Sequence, residues 1–323
     1  MDRIAFIVGG TFVYWSSIVI TLAAGVAICV FLSCYLPRGN GSAAAVAVPM
    51  ALVLSVLLAR LVHWYFRPDS YTGFLDAMGD FTSGGYALLG VFLACGLTAV
   101  VVRLLRLETD LAGLLDAMSL GGCAGIAVGR LSCFFSAADR GQLLQNLRSL
   151  PFVYPVNNVV TGAPEYRLAT FVIQSMATAV IFGVLVLFFL RYRKRESGDV
   201  ALLFALLYGM AQTVLDSTRY DSLYMRSNGF ISVVQLSGAM AVVTVSAWFS
   251  VKMVKARGFR GWYAAIWVAM LALLGGAGYM EYYVQRHGDK AVFSYSIMTA
   301  CLGAIVALAL FTFFRAKQDE ASM

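Results

Sequence analysis

Charge is what this sequence has least of. Only 13% of its 323 residues are Asp, Glu, Lys or Arg, where a soluble domain carries about 25%. No stretch of domain length is polar, and hydrophobic residues make up 60% of the chain. A water-soluble globular protein is therefore excluded and a polytopic membrane protein is expected. Histidine is nearly absent: His63 and His287 are the two in the chain. The six cysteines (Cys29, Cys34, Cys95, Cys123, Cys133 and Cys301) show no CxxC spacing, so no metal cluster is recognisable and none is expected. They read as small buried hydrophobes. His63, beside Trp64 and Tyr65, reads as interfacial packing. The net charge of +7 would point to nucleic acid in a soluble protein. Here no basic run interleaves with aromatics on a polar surface, and cytoplasmic loops of membrane proteins collect Lys and Arg. No nucleic-acid partner is expected.

What the chain has is apolar length. A spanning helix needs about 20 mostly apolar residues, and nine runs qualify: about 12–36, 44–66, 84–106, 113–137, 168–191, 199–217, 229–253, 262–284 and 292–315. No strand alternation or barrel pattern competes, so the expected fold is an all-α polytopic integral membrane protein. The first run lacks a small-residue cleavage pattern and is expected to be a retained helix. The densest basic clusters are Arg191, Arg193, Lys194 and Arg195, then Lys252, Lys255, Arg257 and Arg260. Both fall inside if the N-terminus is outside, which predicts N-out, C-in. The longest outer connection, about 139–166, holds Pro151, Pro155, Pro164, Asn157, Asn158 and Gly162. That density predicts a structured loop with a functional part.

Ionisable groups within apolar runs mark candidate sites. Arg130 follows Gly121, Gly122, Gly125 and Gly129 and costs at least about 2.5–3.5 kcal/mol at membrane depth on insertion scales. An anion such as a lipid phosphate would offset that cost, and the glycines let other groups approach the backbone. A structural ion pair with a carboxylate on another helix is the alternative. Asp116, on the same run, lies about 21 Å away along the axis and needs its own partner. Gln212, Asp216 and Arg219 stand at i, i+4 and i+7, which predicts one polar helix face shared with Arg130. The alternative is a self-neutralised Asp216–Arg219 pair. Gly84, Gly85 and Gly90 around Tyr86 read either as tight helix packing or as room for a ligand.

These residues resemble the prolipoprotein diacylglyceryl transferase family. The likeness is carried by Tyr14-Trp15-Ser16-Ser17-Ile18, by Gly84 to Gly90, and by Asp116 through Gly129-Arg130-Leu131-Ser132-Cys133-Phe134 to Gly141. Tyr208-Gly209 through Asp216 and Arg219, then Val234-Gln235-Leu236-Ser237, continue it. Order and spacing, rather than any single motif, make the likeness. It implies a seven-helix transferase-like core over 1–255 and a two-helix extension over 256–323.

The resemblance implies transfer of the diacylglyceryl group of phosphatidylglycerol to the lipobox cysteine of a prolipoprotein, with glycerol phosphate leaving. No cofactor is implied, and the place is a bacterial-type plasma membrane. Arg130, Asp216 and Tyr86 become the expected catalytic residues. Arg130, Arg140, Arg219, Gln212, Gly129, Gly141 and Tyr208 become the expected substrate-binding set, because guanidinium grips phosphate bidentately and stays charged when desolvated. The chain departs from the family pattern at Leu89, Cys133, Ala138 and Gln212, has Asp216 where glutamate is usual, and reads Arg167-Leu168-Ala169-Thr170 at the entry to the fifth helix. A second reading is an inactive relative that binds anionic lipid or lipoprotein precursors.

Overall fold

The computed structural model describes residues 4–79, 84–136, 140–144, 151–157, 161–192, 195–226, 228–287 and 290–319. Ala138, Asp139 and Asn158 lie outside them. Eight helical stretches among the described residues are long and apolar enough to cross a membrane. These contain α1 (Trp15–Tyr35), α2 (Gly41–Phe66), α5 (Leu111–Gly129), α6 (Thr170–Arg191), α7 (Asp199–Ser217), α8 (Val233–Arg257), α9 (Trp262–His287) and α10 (Ala291–Asp319). A short α3 (Phe74–Gly79) and the apolar 17-residue α4 (Leu88–Leu104) complete the set. The expected all-α polytopic architecture is what the chain adopts.

The ends of the helices differ from expectation for local reasons. The first apolar run opens with a hairpin, β1 (Ile4–Val8) and β2 (Thr11–Tyr14), because Gly9 and Gly10 sit at φ 57° and 84°. Two consecutive positive-φ glycines make the tight turn that strands require. The third run loses its first residues because Gly84 and Gly85 are left-handed (φ 76° and 77°), a conformation that cannot belong to an α-helix. Its helix starts at Leu88. In the fourth run the α-helix stops at Gly129 and a 3-10 turn, Arg130–Phe135, follows. Two further hairpins, β3 (Val153–Asn157) with β4 (Pro164–Leu168) and β5 (Tyr224–Met225) with β6 (Asn228–Ser232), precede α6 and α8.

The chain forms two compact units. The first comprises Met1–Phe204 with Arg219–Gly229, the second Ala205–Thr218 with Phe230–Met323.

In the first unit α1 packs on α5 and α2 on α4, and small residues set both approaches. A Cβ at Gly121 would lie 2.5 Å from Ala27 O, and one at Gly125 would lie 2.9 Å from Ala27 Cβ. A Cβ at Gly90 would run into the backbone at Ala59. At these three positions the glycines serve helix packing, whereas Gly122 has open space. α5 holds α6 through Ser175 Oγ, which donates to Ala127 O at 2.5 Å. Asp116 finds its partner at the start of α7: it accepts from the backbone N–H of Gly198 (2.9 Å) and Ala201 (2.8 Å). A buried carboxylate thus meets the positive end of a helix dipole. At the far end of α1, Glu108 accepts from Tyr35 Oη and from the backbone N–H of Thr109 and Asp110. That carboxyl, outside the spans, is held below the usual range, first by the Tyr35 hydroxyl.

In the second unit α10 packs on α8 and α9. The C-terminal part of α7 closes on α8 at two glycines: a Cβ at Gly209 would lie 2.8 Å from Gly238 O, and one at Gly238 would lie 2.7 Å from Gly209 O. Ser232 and Gln235 form a reciprocal capping box at the start of α8. This satisfies two of the backbone N–H groups that a helix N-terminus leaves open.

Candidate active site

Arginines dominate the polar chemistry of the first unit. Gly141 bridges Arg219 in antiparallel fashion, and the Tyr220 N–H donates to Arg140 O at 2.8 Å. This pairing brings two of the expected phosphate ligands, Arg140 and Arg219, onto adjacent backbone. Glycine is required at 141: an added Cβ would run into Leu168 O and lie 2.7 Å from both Leu168 Cβ and Thr170 Oγ1. The absence of a side chain lets the strand carrying Arg140 lie flat on the end of β4.

A third guanidinium, unexpected from sequence, completes the cluster. Arg167 on β4 donates to Gly141 O at 3.3 Å and lies over the Tyr220 ring, 4.9 Å from its centroid. It pairs with Glu165 at 2.8 Å, and Arg219 pairs with Asp221 at 3.2 Å. Arg140 Nε is buried and makes no hydrogen bond among the described residues. Among the described residues three guanidiniums stand against two carboxylates, and Arg140 is the member with a donor to spare. A buried cation without such compensation costs several kcal/mol, and an anionic ligand offsets that cost. Tyr154, on β3 and outside the spans, has its hydroxyl pushed up by burial; the nearby Arg140 and Arg167 pull the other way.

Arg130 stands at the junction of α5 and its 3-10 turn and is half-buried. Gly129 beside it is in ordinary contact, with Ala23 Cβ 3.5 Å from an added Cβ. Aromatic contacts tie this turn to the arginine cluster. Phe134 meets Phe171 at 4.7 Å between centroids, and Tyr154 meets the same Phe171 at 5.7 Å. Trp15 stacks on Phe135 at 6.0 Å from the α1 side.

Tyr86 belongs to a second arginine site that the sequence reading overlooked. Arg60, inside α2 and 1% exposed, donates to the carbonyls of Ala77 (2.5 Å), Gly84 and Gly85 (3.4 Å). The ring of Tyr71 lies 4.9 Å from its guanidinium carbon and that of Tyr86 5.3 Å. The charge is satisfied by carbonyl dipoles that the left-handed glycines turn toward it and by two π-faces. Tyr71 Oη meets His63 Nδ1 at 2.8 Å alongside. Arg67 links this end of α2 to the segment after Arg219 by donating to Asp221 O (3.3 Å) and Ser222 O (3.0 Å).

One expected face does not form as read. α7 ends at Ser217, so Arg219 lies beyond the helix and the i, i+4, i+7 argument fails for it. Thr218 Oγ1 donates to Leu215 O at 2.8 Å, the local side-chain competition that ends helices. Tyr208, Gln212 and Asp216 do share a face of α7 at i, i+4 and i+8, in the second unit, and all three are buried. There Asp216 accepts from Ser232 Oγ.

A profile of the prolipoprotein diacylglyceryl transferase family matches residues 3–251. The phosphatidylglycerol–prolipoprotein diacylglyceryl transferase of Finegoldia magna is 27% identical over 245 residues, 75% of this chain and 92% of that protein. The protein of the same name from Lactococcus lactis subsp. cremoris is 27% identical over 228 residues, 70% and 85% of the two chains. That from Clostridium kluyveri is 26% identical over 253 residues, 77% and 96%.

Proposed function

The chain belongs to the prolipoprotein diacylglyceryl transferase family, and from that premise we propose that it moves the diacylglyceryl group of phosphatidylglycerol onto the cysteine thiol of a prolipoprotein. The cysteine sulfur forms a bond to the glyceryl carbon that carries the phosphate. The carbon–oxygen bond to that phosphate breaks, and glycerol phosphate leaves with the bonding pair. The thiol proton must go to a base, because the thiolate is the nucleophile. In this reading Arg140 binds the phosphate and stabilises the charge that builds on it as it departs, with Arg219 and Arg167 on the paired backbone beside it and Arg130 as a further phosphate ligand. Gly141 and Gly129 keep the backbone close, and Tyr86 supplies a hydroxyl beside Arg60. Asp216, with Tyr208 and Gln212 on the same face of α7, takes the thiol proton. The acceptor is the signal-peptide region of the prolipoprotein, and the multi-pass chain resides in a bacterial-type plasma membrane, N-terminus out.

The observation that carries the reading is the buried Arg140 Nε, which has no hydrogen-bond partner among the described residues, beside two further guanidiniums, Arg167 and Arg219. The test is transfer of labelled diacylglyceryl from phosphatidylglycerol to a lipobox peptide. Product from wild type and none from Arg140→Ala supports it. Lipid binding without product from well-folded wild type would instead make the chain an inactive binder.

A further inference from the structure

The family match ends at residue 251, and the helices beyond it reach back into the polar interior of the second unit. Glu281 on α9 is 9% exposed. It accepts from Ser217 Oγ at 2.6 Å, from Gln235 Nε2 at 2.9 Å and from Gln285 Nε2 at 2.9 Å. Among the described residues these three neutral donors are its partners. Tyr295 Oη of α10 donates to Ser217 O at 3.1 Å. Both added helices therefore engage the last residue of α7, next to Asp216.

The bonds close into a ring with a fixed direction. Gln235 Oε1 accepts from the Ser232 N–H at 3.0 Å, so its NH2 faces Glu281. Gln235 N donates to Ser232 Oγ at 3.0 Å, and Ser232 Oγ donates to Asp216. A serine hydroxyl has a single proton; with the Gln235 N–H already on its oxygen, that proton goes to the carboxylate. Asp216 is bonded covalently to Ser217, which returns the path to Glu281. The Ser232 N–H holds the Gln235 amide at its oxygen end and Glu281 holds it at its nitrogen end. Removing Glu281 leaves the NH2 end without that partner, which loosens the amide's bond to the Ser232 N–H, the backbone next to the hydroxyl that holds Asp216. Burying a carboxylate for packing alone would be costly, since an apolar side chain of similar size usually does as well or better.

We infer that Glu281, from outside the family-matched region, is a positioning residue for the transfer reaction: it sets the polarity of the Ser217–Gln235–Ser232 ring that holds Asp216. This rests on the catalytic reading of Asp216 proposed above.

The test uses the full chain in detergent, with labelled phosphatidylglycerol and a lipobox peptide, and rates normalised to folded protein. Glu281→Ala lowers kcat about tenfold or more while KM for the lipid changes less than about twofold, the pattern of a lost transition-state contribution. Glu281→Gln recovers most of the rate, because its oxygen still accepts from Gln235 and the Ser217 hydroxyl can turn. Asp216→Asn combined with Glu281→Ala is no slower than Asp216→Asn alone. If Glu281→Ala does not fold, Glu281→Leu, which fills the space without an acceptor, carries the same kcat comparison. Wild-type kcat in Glu281→Ala beside an inactive Asp216→Asn overturns the inference alone, as does a double variant whose loss is the product of the two single losses. Wild-type activity in Asp216→Asn overturns the role of Asp216, and the inference with it.

Discussion

The backbone carbonyl of Arg140 accepts the N–H of Tyr220 at 2.8 Å, and this bond joins the two stretches of chain that carry Arg140 and its neighbour Arg219. The site therefore depends on backbone registry as much as on side chains. Gly141 sits within that registry, and any side chain there meets Leu168 O and the Thr170 hydroxyl. Gly141→Ala is expected to cost about 1–3 kcal/mol of stability, as overpacking does. It should lower transfer even where the protein still folds; a melting curve in detergent and the transfer assay check both.

Asp116 caps the start of α7 from within α5. Its carboxylate is 2% exposed and takes two backbone donors. Asp116→Ala leaves both N–H groups without an acceptor, at about 1–3 kcal/mol each when buried. The melting temperature should drop by several degrees, and Asp116→Asn, which keeps one acceptor, should recover part of it.

Two adjacent glycines on α5 should behave oppositely. Gly121→Ala drives a methyl group into Ala27 O, whereas Gly122 has nothing within 4 Å of an added Cβ. Gly122→Ala should be neutral or gain up to about 1 kcal/mol from helix propensity. Gly121→Ala should destabilise, and thermal melts of the pair in the same detergent provide the comparison.

Glu108 gives an acid-sensitive term. Its folded pKa is lowered, first by the Tyr35 hydroxyl and then by backbone N–H groups of Asp110, Thr109 and Asn40. A lowered carboxyl pKa contributes stability that is present above the ordinary glutamate value and is lost as pH falls through the folded one. Tyr35→Phe removes the leading cause. Its stability should therefore fall off less steeply on acidification than that of wild type, as read by melting temperature across an acidic pH series.

The spans were legible because about 20 apolar residues in a row leave the backbone no choice but a helix in lipid. The interruptions were harder to see. Gly9-Gly10 between β-branched and aromatic residues is a hairpin signal, but apolar content alone assigned part of that stretch to the first helix. Arg60 escaped notice because its run is otherwise strongly apolar. Its partners are carbonyls of distant residues, turned by left-handed Gly84 and Gly85, and no spacing rule anticipates them. Arg167 was visible as a loop cation, yet its place beside Gly141 depends on strand pairing. Arg219 was misplaced on a helix face because the stop at Ser217 is set by a Thr218 side-chain bond and by the Tyr295 hydroxyl on Ser217 O.

The most direct test of the account measures transfer from labelled phosphatidylglycerol to a lipobox peptide by Arg140→Ala and Arg140→Lys beside wild type. Loss of one charged donor to the departing phosphate should lower kcat/KM by about 100-fold or more in Arg140→Ala. Lysine, a point charge without the bidentate fork, should recover only part of it. Wild-type kcat/KM in a well-folded Arg140→Ala would contradict the claim that this guanidinium holds the phosphate.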